Sequence, residues 1–380
     1  MSLSKIAIVQ NVPNNDHRMV HSDGIARELV KRGYDVEVII QKSSLSSQFN
    51  ETPYKLTQIP GKTYSMKGQM CFMISLYSHL RRNKYDVIHA KNPVSSLIPS
   101  LLVQSLSKKK VIYDMRGLWI DFAVYSNKMS EHLKDFLVSL EVILMNHTTS
   151  VIAISQEMKK VLIERGVEQE KLRVIVGAGV NSVLPSTHSD KYPLPEGRII
   201  GYVGTISRSR NSDKIIQAFQ KLKTESNEDL NLLMVGPFSI NEDQYFTRLV
   251  ENLKISQNVV FTGFIPHDDA LSLMSNFDVA VSYHEGSYDF FNVAVPTKIL
   301  EYLRTGCCIV ATNQKMYENI LTDGVNALLT NQTVEDFSEG IRYVLENPAK
   351  AKLLRKNAHM ISSNFLFSKI VDKLIQIYNG

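Results

Sequence analysis

The sequence has little cysteine. Cys71, Cys307 and Cys308 are the three in 380 residues, an odd number without metal-ligand spacing, and the adjacent pair sits in an apolar run that reads as a buried strand. That pattern argues against a disulfide framework and a thiolate metal site, and leaves reduced, cytoplasmic thiols as the expectation. Also lacking are a basic-then-apolar leader, since the chain starts MSLSKIAIVQ, and any run of about 18 apolar residues that could cross a bilayer. No aspartate cluster of the kind that holds Mg²⁺ or Mn²⁺ stands out. An acidic balance is missing from the first half: residues 1–180 carry 24 Lys and Arg against 16 Asp and Glu, and the remainder carries 19 against 22. A basic half suits an anionic partner such as lipid, a phosphorylated acceptor or nucleic acid, although a solvated basic surface accounts for it equally well. With no recognisable nucleic-acid-binding module in the chain, nucleic acid is not an expected partner.

What is present is a regular alternation. A hydrophobic fraction of 44% and a charged fraction of 21% are those of a soluble globular chain, and the length favours two domains. Short runs rich in Val and Ile alternate with longer amphipathic stretches, the mark of repeated strand–helix units and parallel sheets. In the first half these runs are KIAIVQ (5–10), DVEVII (35–40), DVIHA (86–90), KVIYDM (110–115), SVIAIS (150–155) and LRVIV (172–176). The pattern then breaks into NSVLPSTHSDKYPLPEGR (181–198), whose three prolines and lack of periodicity read as a hinge. A second series follows: IIGYVGTI (199–206), LNLLMVG (230–236), NVVFTGFI (258–265), DVAVSY (278–283), CIVAT (308–312) and ALLT (327–330). The expected fold is α/β, with two Rossmann-like doubly wound parallel-sheet domains facing across a cleft. The first covers 1–180, the hinge 181–198 and the second 199–364, with a C-terminal helix at about 365–380 packing back on the first.

In such sheets ligands collect beyond the carboxyl ends of the strands, where loops and helix N-termini gather. Two turns of the second half carry suitable chemistry. Gly204, Ser207, Arg208 and Arg210 lie in the turn after 199–206, where glycine allows close backbone approach, helix amides favour an anion, and arginine offers a fork of donors to phosphate. A solvated basic turn reads the same way, because one glycine is neither a dinucleotide fingerprint nor a phosphate loop. The second turn is FNVAVPTKILEYLRTGCCIVAT (291–312). Pro296 suits a helix start and Gly306 a helix stop, so Lys298 and Glu301 fall in the first two turns of a short helix. Three residues apart on one face, they either neutralise each other or both face a ligand.

The run PTKILEYLRTGCCIVAT, with GYVGTISRSRN and LLMVGP upstream, VVFTGFIPHDDALSLMSNFDVAVSY between and ENILTDGVNALL after, resembles the nucleotide-sugar half of retaining glycosyltransferases of the GT-B fold, family 4 group. The first half is similar to them through DHRMVHSDGIARELVKRGYDVEVI, KYDVIHAKNPVSSL, VIYDMRGLW and SVIAISQEMKKVLIERG. The resemblance implies transfer of a sugar from a nucleoside-diphosphate sugar, with no metal and no cofactor. In the family a basic pair in the first turn of the second domain holds the donor diphosphate. Arg210 falls on the usual Lys and Thr205 on the usual Arg, which makes Arg208 the candidate replacement. Glu301 matches the second of the family's paired glutamates, the one that grips ribose. Ala294 stands in the place of the first, and Glu285 or Asn292 are the candidates for its work. The nucleobase is expected near Phe264 and Ile265. The catalytic set is thus Arg210, Lys298 and Glu301, with Gly204, Thr205, Arg208, Phe264, Ile265, Glu285, Asn292 and Thr297 as donor-binding residues. Negative charge grows on the leaving diphosphate during transfer, and cations placed there beforehand are the main catalytic need.

In the first half His89 and Lys91 follow one strand, Asp114, Arg116 and Trp119 follow another, and Asn15, Asp16 and Arg18 occupy the first strand-to-helix loop. By resemblance this is the acceptor side, with Arg18, His89, Asp114 and Arg116 as its candidates, although a lone histidine is commonly structural. Many relatives carry His near Arg116, so arginine there suggests an anionic group such as an acceptor phosphate. Residues 63–84 join an apolar, aromatic segment to Arg81, Arg82 and Lys84, which reads either as peripheral contact with an anionic membrane or as a core-facing helix with a basic end. The expected activity is transfer onto a polysaccharide or lipid-linked glycan in lipopolysaccharide or capsule biosynthesis, by a cytoplasmic protein at the inner face of the membrane. Two alternatives stay open on the same fold: a nucleotide-sugar 2-epimerase, and a catalytically silent sugar-nucleotide-binding partner motivated by Ala294 and Thr205.

Overall fold

The computed structural model describes residues 4–14, 16, 18–42, 51–62, 65–107, 109–126, 129–176, 179–181, 192–226, 228–285 and 292–380. Asn15, Thr63, Tyr64, most of the expected hinge and residues 286–291 therefore lie outside the described residues. The chain divides into two compact units, Met1–Gly179 with Tyr288–Val295 and Leu366–Gly380, and Val180–Ser287 with Pro296–Phe365.

The first unit holds β1 (Lys5–Pro13), β2 (Asp35–Gln41), β3 (Lys55–Ile59), β4 (Val87–Lys91), β5 (Lys110–Met115), β6 (Ser150–Ala153) and β7 (Leu172–Val174), all parallel, in the order β3-β2-β1-β4-β5-β6-β7. Its helices are α1 (Met19–Lys31), α2 (Met66–Arg82), α3 (Val94–Ser105), α4 (Trp119–Tyr125), α5 (Lys134–Asn146) and α6 (Gln156–Glu164). Successive residues of β1 point to opposite faces. Ala7 and Val9 join a core with Phe72, Leu76 and Leu97, while Ile6 and Ile8 join another with Ile25 and Leu29. Burial on both faces is why these strands read as unbroken apolar runs. The exceptions are the two edge strands, β3 (KLTQI), in which only Ile59 is buried, and β7 (LRV), in which only Leu172 is.

The second unit holds β8 (Arg198–Val203), β9 (Leu230–Val235), β10 (Val259–Phe261), β11 (Val279–Ser282), β12 (Ile309–Thr312) and β13 (Leu328–Thr330), again parallel, in the order β10-β9-β8-β11-β12-β13. Helices α7 (Ser212–Glu225), α8 (Asp243–Asn252), α9 (His267–Met274), α10 (Thr297–Thr305), α11 (Val334–Glu346) and α12 (Pro348–Ser362) pack around it. The last helix, α13 (Phe367–Asn379), belongs to the first unit. It lays Phe367, Ile370 and Leu374 into the core that contains Ile6 and Ile8, so close to α1 that a Cβ on Gly24 would stand 2.3 Å from the Phe367 ring.

Strand order reverses between β1 and β4 in one sheet and between β8 and β11 in the other, the switch points where such sheets open for ligands. In the second unit β8 and β11 pair only through Ile200↔Val279 and Gly201↔Ala280. Their register ends at Gly201↔Ala280, and the turn after β8 and His284 after β11 follow from there. Helix α10 starts there behind Pro296 and stops at Gly306, whose φ of 70° is a left-handed conformation that a side chain would strain.

Candidate active site

Helix α10 buries both Lys298 and Glu301, each 8% exposed, and they do not pair with each other. Glu301 Oε1 lies 2.8 Å from His267 Nε2, at the first residue of α9. Burial disfavours the His267 imidazolium, but the bond and charge of Glu301 outweigh it and raise the imidazole above its ordinary range. Lys298 Nζ sits 3.9 Å from the centroid of the Tyr202 ring on β8, an ammonium over a π-face. Burial, then the nearby charge of Arg210, push the lysine well below its usual pKa. The helix is bonded to the sheet through Tyr302, whose hydroxyl accepts from Val203 N–H at 2.9 Å and donates to the Val281 carbonyl at 3.4 Å.

The turn after β8 runs through Gly204 (φ 137°) into a single 3₁₀ turn, Arg208–Arg210, closed by Asn211 in a left-handed conformation. The Thr205 carbonyl accepts from Tyr202 Oη at 3.0 Å. Arg210 is exposed, and its charge acts on Lys298, Tyr202 and His284. Arg208 does not join it: Nε is 3.0 Å from Glu242 Oε1, and the guanidinium lies 5.0 Å from the Tyr245 ring centroid. Thr297 is exposed at the start of α10, and Glu285 is exposed with its N–H on Asn211 Oδ1 at 3.1 Å. Of the expected base-side pair, Phe264 is 65% exposed while Ile265 is buried, so Phe264 alone offers a face.

Asn292 and Ala294 belong to the first unit. Val293 is buried in that unit's core, with its carbonyl accepting from Ser155 Oγ at 2.5 Å, and Ala294 packs against the same core. A glutamate at 294 would bring a carboxylate against apolar side chains, a costly placement that accounts for alanine there.

His284, which the sequence reading passed over, ends the loop side of β11. Its ring is pushed down to about 3 by burial and then by the charges of Lys298 and Arg210. The available signal was its place directly after DVAVSY, facing the basic turn. His267 was equally unmarked, because its partner Glu301 is 34 residues away in sequence.

The first unit gathers a second polar cluster at the carboxyl ends of β1, β4 and β5. His89 is buried between Tyr378 of α13 (Nδ1 to hydroxyl, 2.7 Å) and Asp114 (Nε2 to Oδ2, 3.2 Å), and Arg116 Nη1 stands 3.6 Å from Asp114 Oδ1. Burial resists ionisation of Asp114, yet Arg116, His89 and Lys91 together hold its carboxyl well below the usual range. Lys91 Nζ donates to His21 Nδ1 at 2.8 Å and to Ser22 Oγ at 2.9 Å. Burial pushes Lys91 down to about 7 against the pull of Asp114, with Arg116 and Arg18 adding to the depression. Arg18 itself is forked onto Asp16 (Nε to Oδ1 2.8 Å, Nη2 to Oδ2 2.6 Å). Trp119 lies away from these groups and donates to buried Glu141 at 2.9 Å. His89, Lys91, Asp114 and Arg116 are thus brought together.

Comparison with known proteins gives this geometry its class. Among solved structures, HepE of Anabaena in complex with UDP and glucose matches with a TM-score of 0.79 at 18% identity, over 99% of both chains. The capsular polysaccharide biosynthesis glycosyltransferase CapM of Staphylococcus aureus is 22% identical over 371 residues, 92% of this chain and 91% of its own. A UDP-Gal:alpha-D-GlcNAc-diphosphoundecaprenol alpha-1,3-galactosyltransferase of Escherichia coli is 22% identical over 371 residues, covering 91% and 89%. The fold is that of GT-B glycosyltransferases. Residues 186–360 match glycosyl transferases group 1, and residues 20–177 match Glycosyltransferase Family 4. The chain is a glycosyltransferase, its second half similar to the group 1 family and its first half to family 4.

Proposed function

We propose that the protein is a retaining, metal-independent enzyme that moves a sugar from a nucleoside-diphosphate sugar to a polysaccharide or lipid-linked glycan. The observation that carries this reading is Lys298, a buried lysine that pairs with no carboxylate among the described residues and feels the charge of another cation, Arg210. Among the described residues neither cation has an ion-pair partner, and a diphosphate supplies one. The relatives point the same way: one is named for capsule synthesis, one for a UDP-Gal donor and a diphosphoundecaprenol-linked acceptor, and one structure holds UDP.

Arg210 and Lys298, with the first amides of α10, take up charge growing on the departing diphosphate. Glu301, oriented by His267, binds ribose hydroxyls, and exposed Phe264 offers a face to the base. With retention the acceptor hydroxyl attacks from the side on which the diphosphate leaves, so a diphosphate oxygen takes its proton and no protein base is required. In the first unit Arg116 and Lys91 present positive charge to an acceptor phosphate.

Peripheral contact with an anionic membrane at the cytoplasmic face belongs to the same proposal. No helix among the described residues is long and apolar enough to cross a membrane. Helix α2, however, buries Phe72, Leu76 and Leu80 on one face while Met66, Met70 and Ile74 stand 83%, 55% and 68% exposed on another, ahead of Arg81 and Arg82. Serine at all three exposed positions should lower sedimentation with anionic vesicles and leave that with neutral ones unchanged.

The deciding assay is transfer by the purified chain across a panel of nucleotide sugars, with and without chelator, and NMR of the product's anomeric configuration. Arg210→Ala and Lys298→Ala should each lower kcat/KM at least about tenfold. Full activity in both, inversion, or loss of activity on chelation each overturns the matching part of the proposal.

A further inference from the structure

The mechanism above leaves one group of the second unit without work. The backbone of His284 is held by residues at the end of β12: its N–H donates to Thr312 Oγ1 at 2.8 Å, and its carbonyl accepts from Thr312 Oγ1 at 2.8 Å and from Gln314 Nε2 at 2.7 Å. The main chain is thus fixed, yet the ring's Nε2 is shut off from solvent and has no hydrogen-bond partner among the described residues. Buried polar atoms are nearly always paired, and an exception in a ligand-facing loop points to a partner that arrives with the ligand.

The surroundings say which kind. The charged groups acting on the ring are both cations, Lys298 from α10 and Arg210 from the turn after β8. Thr312 and Gln314, which pack from the β12 side, are neutral, and the neighbouring Glu285 is exposed. Three segments therefore bring three nitrogen-bearing side chains together, and what they share is a want of negative charge.

We infer that His284 is a third phosphate ligand of the donor site, donating Nε2–H to a diphosphate oxygen after taking one proton from solvent as the nucleotide sugar binds. The inference rests on the nucleotide-sugar reading given above. In the free protein, burial and the two cations keep the imidazole neutral. A sugar-linked diphosphate carries two negative charges, and placing them among these groups reverses the field, so that the imidazolium becomes the favoured form. One proton moves from solvent to the ring, an N–H···O⁻ contact forms, and no covalent bond changes. The charged ring then adds to the positive charge that faces the leaving group.

The test is isothermal titration calorimetry on the full chain with whichever of UDP-, GDP-, ADP- and dTDP-glucose the wild type binds. Their doubly esterified diphosphates do not titrate between about pH 5.5 and 8. Repeating the titration in buffers of unlike ionisation enthalpy counts the protons taken up. Any proton change at Lys298 or elsewhere is common to the wild type and the variants, so the reading is the difference between proteins. The wild type should take up close to one proton more than His284→Gln or His284→Asn, both of which keep the backbone clamp. Its affinity should also fall by up to about tenfold more per pH unit than theirs. Equal proton counts and equal pH slopes overturn the inference. A second measurement needs no variant: on saturation with the nucleotide sugar, the ¹⁵N signal of His284 should move from neutral to protonated imidazole, and a ring that stays neutral overturns the inference too. A wild type that binds none of the four fails the underlying reading and this inference with it.

Discussion

Lys298→Met is expected to make the second unit more stable while weakening donor binding. Burying an ammonium costs several kcal/mol after relaxation, and its 3.9 Å contact with the Tyr202 ring returns about 2 kcal/mol. Methionine fills the same volume without the charge, so the substitution should gain about 1–3 kcal/mol, at about 2–4 °C per kcal/mol for a unit of this size. The sign of the pH dependence follows from the depressed lysine. Between its lowered folded pKa and the ordinary 10.5 the unfolded state binds more protons, so wild-type stability rises with pH across that window. The variant lacks this slope, and its advantage should be largest at the acid end and vanish near pH 10.5. Losing a charge-assisted phosphate contact of about 2–3 kcal/mol weakens donor binding roughly 30- to 160-fold. Calorimetric melts across pH and titration with the donor read both effects. A variant that melts below the wild type and binds donor as tightly refutes the reasoning.

Other substitutions test the supporting structure. His267→Ala should weaken donor binding by releasing Glu301 and cost about 1 kcal/mol. Because the histidine is raised in the folded state, that cost is full below pH 6.5 and fades as pH climbs through the raised value, so urea melts of the two proteins should converge under alkaline conditions. Lys91, pushed down to about 7, predicts that the first unit gains stability between pH 7 and 10.5, a gain that chemical denaturation should find missing in Lys91→Met. Gly24→Ala drives a methyl to within 2.3 Å of the Phe367 ring, and should cost about 1–3 kcal/mol in thermal melts, with partial recovery in Gly24→Ala/Phe367→Leu.

The strands were readable because parallel sheets covered on both faces need apolar residues at consecutive positions, as in Ile6–Val9. The edge strand β3 escaped for the converse reason: with only Ile59 buried, its residues are not required to be apolar. Helix α10 was bounded by local chemistry, Pro296 at its start and Gly306 at its stop. What the sequence did not disclose is long-range pairing. Glu301 with His267, Lys298 over Tyr202 and Arg208 with Glu242 each join segments more than 30 residues apart, and no local spacing encodes such a choice. Arg208 is instructive, since its residue type and turn suited phosphate and the carboxylate of Glu242 is what it reaches.

Tyr302 has a mechanical consequence. Its hydroxyl bonds β8 and β11 just where they stop bonding each other, so the helix that carries Lys298 is keyed to two strand ends at once. At a radius of about 5–6 Å, a roll of about 20° would carry a side-chain tip by about 2 Å, the difference between a hydrogen bond and none. One phenol thus sets the angular tolerance of the proposed donor site. Without it, α10 would still be a helix and still be buried, but the reach of its lysine would depend on packing alone.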